Sequence, residues 1–434
     1  MSIAPRMWIK ASDRFRHNSK VRHATAKVLL ATVPRLSPES DQLEVVQSVA
    51  TLCRIARLSQ RKSFTSEVEG RIRERVLWLR GRPIDWSAIT GDFRPGRIEK
   101  GVVLKPYIGP REKGVVLISF EYQWARLMSV ANLDEFARRY TLITAPTWSP
   151  PHALENVLFA DRYPGDRIYT LLSNAVDTET FPRLSPKFRP LPLYASNWVN
   201  ADLYTPVPFE KKDIDILMVA NFGEYKRHFV LFDALRELPR DFRVVLIGQP
   251  VGIRTAARLR DEARTFGVAN RFELLESVPD KTVVDSLCRA KVSVILSKQE
   301  GSCVAVMESL IANTPVGMFE DAIVGSKIFI DENSGRLLRS SNLAAQLGEF
   351  VEQANRYSPR NRVLEQQLDS DGSTRRLNSA LRDQAVAEGE EWTRDIVAHH
   401  WRPDPAILCP EDLERLRPEY VHIRETYGVA IGKT

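Results

Sequence analysis

Between Ile214 and Phe319, short apolar runs and amphipathic stretches alternate without a break, and this alternation limits the possible folds more than any other feature of the chain. The runs IDILMVA (214–220), FRVVLIG (242–248), RFELLE (271–276), KVSVILS (291–297) and TPVGMF (314–319) have strand length and are rich in β-branched residues. Helical spacing fills the gaps at about 226–238, 254–267, 280–290 and 304–313. Near-continuous apolar strands separated by helices describe a parallel sheet covered on both faces. An earlier series begins with GVVLISF (114–120), a helix through Arg139 and YTLIT (140–144), and continues with strands at 168–173 and 189–196. The Pro-rich segment YTPVPFEKKD (204–213) separates the two series. The expected fold is α/β, with two Rossmann-like parallel-sheet lobes facing a cleft.

Ahead of these series, Leu43, Val46, Val49, Ala50, Leu52 and Cys53, then Val68, Ile72, Val76 and Leu77, recur near helical spacing. The segment 80–110 contains Gly81, Pro83, Gly91, Pro95, Gly96, Pro106, Gly109 and Pro110 and reads as a connection. Beyond residue 350 come a polar stretch (358–379), a helix through about His399 and a final surface helix over 411–429. The expected division is a basic, mainly helical extension (1–100), a first Rossmann-like lobe (101–205), a second Rossmann-like lobe (206–355) and a helical tail packing back on the lobes (356–434).

Composition removes several classes. With 43% hydrophobic and 27% charged residues the chain is globular in character. No window approaches the ~18 apolar residues of a membrane span, and the charged start MSIAPRMWIKASDRFRHNSK lacks the apolar region of a secretory signal. Cys53, Cys288, Cys303 and Cys409 lie far apart, and His399-His400 has no companion ligands at metal spacing. No metal site is expected, and the compartment is read as reducing and cytoplasmic.

Charge is uneven. Residues 1–100 hold 20 Lys and Arg against 10 Asp and Glu, while the whole chain holds 62 against 55. Residues 1–27 carry Arg6, Lys10, Arg14, Arg16, Lys20, Arg22 and Lys27, with Asp13 the only acid and Met7, Trp8, Ile9 and Phe15 interleaved. Such an arm suits the anionic inner face of a membrane, with a solvated arm as the competing reading. No recognition motif accompanies the charge, so a specific nucleic-acid partner is not expected.

The most informative stretch is SKQEGSCVAVMESLIANTPVG (297–317). A strand ends in a loop carrying Glu300, and a helix opening near Ser302 carries Glu308 one to two turns in. Backbone N–H groups of Ser302, Cys303 and Val304 would then face an anion at the carboxyl edge of a parallel sheet. The two carboxylates can accept hydrogen bonds from sugar hydroxyls on either side. The competing reading is a solvated loop Glu and a helix-surface Glu.

Glu, seven residues, Glu, with Gly301 directly after the first and Thr-Pro-Val after the helix, resembles the donor signature of family-four retaining glycosyltransferases. The resemblance spans about 196–350. SNWVNADLYTP (196–206) is similar to the interlobe segment, VANFGEYKRHFVLFDAL (219–235) to the first donor-lobe strand, loop and helix, and FIDENSGRLLRSSNLAAQL (329–347) to the closing strand with its turn at Gly335.

The resemblance implies a GT-B fold, a nucleotide-sugar donor, a glycan or lipid-linked acceptor, no metal, and retention at the anomeric carbon in a cell-surface polysaccharide pathway. Glu300 would hold the transferred sugar, Gly301, Ser302, Cys303 and Val304 the sugar and diphosphate, and Glu308 the ribose. Lys226 would neutralise the leaving diphosphate, and Ser277 and Val278 would border the base.

The chain departs from the pattern at Asn221, where the family usually has an arginine; Arg227 or Lys298 are the candidate substitutes. FEYQWAR (120–126) also lacks the usual glycine-rich acceptor-side turn. His152, in PTWSPPHAL (146–154), is a candidate sugar ligand or proton acceptor. Glu121 and Trp124 sit past a strand end, Trp124 either stacking on a sugar or simply packed, and His228 lies close to Lys226. The alternative function is a catalytically silent scaffold that binds a sugar nucleotide or a partner.

Overall fold

The computed structural model describes residues 4–59, 61–90, 94–146, 151–401 and 404–432. Residues 1–3 of the basic arm, Gly91 of the connection and 147–150 of the His152 segment lie outside the described residues. Contacts divide the chain into two compact units, Met1–Arg14 with Ser196–Ser373, and Phe15–Ala195 with Thr374–Thr434.

The first unit is built on a six-stranded sheet in the order Gly335–Leu338, Val316–Phe319, Ala290–Ile295, Ile214–Val219, Val244–Gly248, Glu273–Glu276. Every pairing is parallel, and the central strands are buried almost throughout. That burial is why they read as continuous apolar runs. Helices His228–Leu235, Ala256–Phe266, Asp280–Arg289 and Val304–Ile311 connect them. Strand order reverses between Ile214–Val219 and Ala290–Ile295, which lie side by side with Ile216 opposite Val292. A reversal of this kind leaves a crevice beyond the carboxyl ends of the two strands.

Two glycines allow close chain approaches in this unit. A Cβ on Gly248 would stand 2.0 Å from the Ala220 carbonyl oxygen, and one on Gly335 would stand 2.1 Å from that of Val316. Only glycine fits such backbone contacts.

The second unit carries a five-stranded sheet in the order Gly101–Lys105, Gly114–Ser119, Tyr140–Ala145, Ile168–Leu172, Phe188–Tyr194. Its last four strands are parallel. The first is antiparallel to its neighbour, fully buried, and absent from the sequence reading, which treated 80–110 as a connection. The two Rossmann-like sheets are the building blocks of the expected GT-B fold.

Helices Ser19–Thr32, Gln42–Leu58 and Lys62–Leu79 precede this sheet. Asn18 and Asp41 cap the first two by accepting backbone N–H bonds. Val49, Leu52, Cys53, Val68 and Ile72 form their core together with Val157, Leu158 and Leu184 of the sheet's own helices. Leu43 and Leu77, expected on the apolar face, are instead 56% and 57% exposed.

At the far end, helix Ser370–Ala387 stops at Gly389, whose φ is +78, and His399–Trp401 is a strand antiparallel to Pro405–Ile407. The helix read through His399 is therefore too long. The final helix Pro410–Tyr427 is not a surface element. Leu416, Tyr420, Ile423 and Tyr427 enter the sheet's core, and the Tyr420 hydroxyl accepts the Val103 N–H at 3.0 Å.

Among the described residues, no helix is long and apolar enough to cross a membrane.

Candidate functional site

The two loops that matter leave the adjacent strands at the reversal point. After Val219 the chain makes a turn, then a short 3-10 segment, Glu224–Lys226, then the helix His228–Leu235. After Ile295 it runs through Ser297 and Glu300 to the helix Val304–Ile311. The Lys226 ammonium meets the Glu300 carboxylate at 2.5 Å, with the two side chains 13% and 9% exposed. Ser297 donates its hydroxyl to the other Glu300 oxygen. The loop around Glu300 is braced by Glu300 N–H to Ile323 O at 3.0 Å and Gly325 N–H to Gly301 O at 2.8 Å.

Burial alone would depress the Lys226 ammonium, yet it is raised above its ordinary value, with the bonded Glu300 carboxylate favouring the charged form. Burial pushes the Cys303 thiol up to about 12, so it is neutral at pH 7.

Both helices begin in an unusual way. Arg227 and Cys303, at the two N-cap positions, have left-handed backbone, and neither side chain caps its helix. Helix N-termini without side-chain caps present backbone N–H groups to an incoming anion. The helix expected from Ser302 opens two residues later, at Val304.

The Ser302 hydroxyl is committed within the unit, accepting the Ser196 N–H at 2.7 Å. Glu308 is half-buried and accepts the Tyr204 hydroxyl at 3.2 Å. Ser277 is exposed with φ 52, its N–H bonded to Gly248 O at 2.8 Å, and Val278 beside it is half-buried.

Asn221, where the arginine is missing, and Arg227 and Lys298, offered as its replacements, all have other partners. Asn221 organises its own loop, accepting the Gly223 N–H at 3.1 Å and donating to the Tyr225 hydroxyl at 2.7 Å. Arg227 holds Asp13 through two bonds of 2.9 Å, and Lys298 pairs with Asp321. His228 is buried, and burial takes its imidazole down to about 3, so it is neutral. Sequence reasoning missed three groups here, Asp13, Tyr204 and Arg254. The last donates to Phe222 O at 2.6 Å. Asp13 and Tyr204 lie 214 and 104 positions from their partners, a pairing no local pattern signals.

The remaining candidates lie in the other unit. His152 is 7% exposed, and its Nε2 meets Glu69 at 2.9 Å. Arg183 donates to the same carboxylate at 3.0 and 3.3 Å. Burial would raise the Glu69 carboxyl, but the His152 and Arg183 bonds hold it below its ordinary value. The triad fastens helix Lys62–Leu79 to the sheet unit, and that is the role we assign to His152. Trp124 and Glu121 are buried as well, so Trp124 takes the packed reading.

Phe120 adopts φ 69 where a glycine would be relaxed. It stacks on Tyr122 at 5.7 Å and meets Trp401 at 5.3 Å. A cavity of about 1160 Å³ lies at the opposite, amino edge of this sheet. Several of its charges pair among themselves, Lys113 with Glu390 at 2.6 Å and Arg139 with Glu135 at 3.3 Å, and we assign it no chemistry.

Among the described residues no group of three or more His, Cys, Asp or Glu is placed to hold a metal ion. No curated protein matches the chain. Among solved structures, the HepE protein of Anabaena in complex with UDP is similar at 14% identity, with a TM-score of 0.46 over 63% of this chain and 78% of that one. Sucrose-phosphate synthase of Thermosynechococcus elongatus is similar at 15% identity, with a TM-score of 0.47 over 63% and 74%. Both likenesses are remote. Residues 204–367, the stretch that carries Lys226, Glu300 and Glu308, match the family described as glycosyl transferases group 1.

Proposed function

We propose that this chain is a glycosyltransferase that moves a hexose-type sugar from a nucleoside-diphosphate donor to a hydroxyl of a glycan or lipid-linked acceptor. Transfer proceeds with retention, without a bound metal, in cell-surface polysaccharide synthesis. The observation that carries this reading is the meeting of Lys226 and Glu300, on loops from adjacent strands at the strand-order reversal, beside two helix N-termini without side-chain caps.

In this reading the donor diphosphate lies against those N-termini, and Lys226 neutralises the charge that grows on it as the anomeric C–O bond breaks. Glu300 accepts hydrogen bonds from the sugar hydroxyls and stabilises positive charge at the anomeric carbon. Glu308 accepts from the ribose hydroxyls. Lys226 and the helix dipoles supply the positive potential that a metal ion gives elsewhere.

The test is thermal stabilisation by a panel of nucleoside diphosphates and sugar nucleotides in the presence of a chelator. A ligand at 100 times its Kd adds roughly 2.7 kcal/mol to stability. Absence of any shift would overturn the proposal. Asn221, where the family usually has an arginine, favours a second reading as a non-catalytic sugar-nucleotide binder. Binding without sugar transfer to any member of an acceptor panel would select it.

We place the protein at the cytoplasmic face of an anionic membrane through residues 1–27. Met7, Trp8 and Phe15 are 62%, 75% and 68% exposed, and Arg14, Arg16 and Lys20 are exposed among them. Deletion of 1–27 should abolish co-sedimentation with anionic vesicles; equal binding by the truncated chain would refute the placement.

A further inference from the structure

Arg227 stands between the two loops of the donor site, and its conformation is unusual in two ways. Its backbone is left-handed, with φ 56 and ψ 44, which a long side chain adopts only where its surroundings enforce it. Its guanidinium is also fully engaged. Nη1 donates to Leu296 O at 2.9 Å, while Nε and Nη2 grip the two oxygens of Asp13 at 2.9 Å each. The side chains of this pair are 7% and 13% exposed, so water does little to stabilise either charge alone.

Arg227 therefore joins three pieces of chain. It is the residue after Lys226, it is bonded to the residue before Ser297, whose hydroxyl holds Glu300, and it is fixed by the N-terminal helix Ala4–His17. That helix is docked a second time through Lys10, one turn from Asp13, which pairs with Asp233 of helix His228–Leu235. The arm is otherwise uniformly basic, and its one carboxylate is the group that meets Arg227.

We propose that Asp13 is a positioning residue of the donor site. By holding the Arg227 guanidinium in a bidentate grip, it keeps that cation off the Glu300 carboxylate and leaves Lys226 and the N-terminus of helix His228–Leu235 aligned for a diphosphate. With Asp13 neutralised, Arg227 is a buried cation lacking its counter-charge, one residue from Lys226 and bonded to the loop that carries Glu300, so its rearrangement disturbs that pair. The site then loses the Lys226 geometry while its ribose-binding side, at Glu308, is untouched. This inference rests on the glycosyltransferase reading and extends it to a residue far outside the matched segment 204–367.

The experiment compares nucleoside diphosphate and nucleoside monophosphate binding by calorimetry in the full chain and in Asp13→Asn. The expected result is a diphosphate affinity about tenfold weaker, the worth of one charge-assisted hydrogen bond. Monophosphate affinity should change by less than about twofold, since a general loss of folding would lower both. Asp13→Glu, which keeps the charge, should recover most of the diphosphate binding. Lys10→Met removes the other ion pair of the same helix and serves as the docking control. The proposal is overturned if Asp13→Asn binds diphosphate like the parent, if both ligands weaken together, or if Lys10→Met weakens diphosphate as much as Asp13→Asn does. A parent chain that binds no nucleoside diphosphate would instead refute the functional reading itself.

Discussion

The Lys226–Glu300 pair can be tested as structure and as chemistry at once, because the two roles predict different rescue. Lys226→Met leaves the Glu300 carboxylate, 9% exposed, with the Ser297 hydroxyl but without its cation. Removing one member of a buried pair costs about 3–5 kcal/mol, and the residual exposure of both side chains brings the expectation to about 2–4 kcal/mol. Chemical denaturation measures that loss. In Lys226→Met/Glu300→Gln the stranded charge is gone, and at least half of the lost stability should return. Nucleotide binding should not follow. A lysine bond to a phosphate contributes about 1.5–3 kcal/mol, so diphosphate affinity should fall roughly 10- to 150-fold in the single variant. It should stay low in the double variant even as the fold recovers. If Lys226→Met binds nucleoside diphosphate as tightly as the parent while unfolding cooperatively, Lys226 is only a structural partner and the donor-site assignment is wrong. If the double variant regains affinity together with stability, the binding loss came from loop disorder rather than from a missing phosphate contact.

Other predictions concern separate parts of the molecule. Glu308→Ala should weaken nucleotide binding by about 1–3 kcal/mol while Tyr204→Phe changes it little, which titration of both variants would show. His152→Ala should cost about 1–3 kcal/mol of stability by stripping a partner from Glu69, yet leave turnover per folded molecule intact; a tenfold loss of turnover would return His152 to the chemistry. Glu112 is held down to about 2 because Lys105, Thr393 and two backbone N–H groups outweigh the upward push of burial. Its contribution is fully present above its ordinary value of 4.5 and disappears as pH falls toward 2, so the stability gap between parent and Glu112→Gln should close over that window.

The six-stranded sheet was legible because parallel strands buried on both faces leave unbroken apolar runs, and Ile214–Val219 and Ala290–Ile295 emerge within a residue or two of their expected limits. The strand Gly101–Lys105 was not. It is equally buried, but it pairs antiparallel at a sheet edge, and Gly96, Gly101 and Pro106 around it imitate a connection. Leu43 and Leu77 satisfy helical spacing without facing the core, since a pattern with several apolar residues per turn admits neighbouring faces. The tail helix was overextended because nothing local marks Gly389 as a stop rather than a tolerated interior glycine. At the site, Lys226, Glu300 and Glu308 could be found because each sits at a fixed offset within one loop–helix unit. Which cation is engaged elsewhere depends on pairing across the chain. Arg227 looks available in sequence and is occupied in structure, by an aspartate 214 positions earlier.

The nesting of the two units sets the order in which a ribosome can deliver a finished molecule. The first unit takes in Met1–Arg14 and resumes only at Ser196, while the second is interrupted after Ala195 and completed by Thr374–Thr434. At roughly 5–20 residues per second, Asp13 waits about 10–40 s for Arg227 to be synthesised. During that interval the basic helix Ala4–His17, which carries Met7 and Trp8, lacks the docking site on which it rests in the folded unit. Neither unit can close before most of the other has been translated, and a chain stalled before residue 374 would hold the first unit entire while the second still lacked its last core helix.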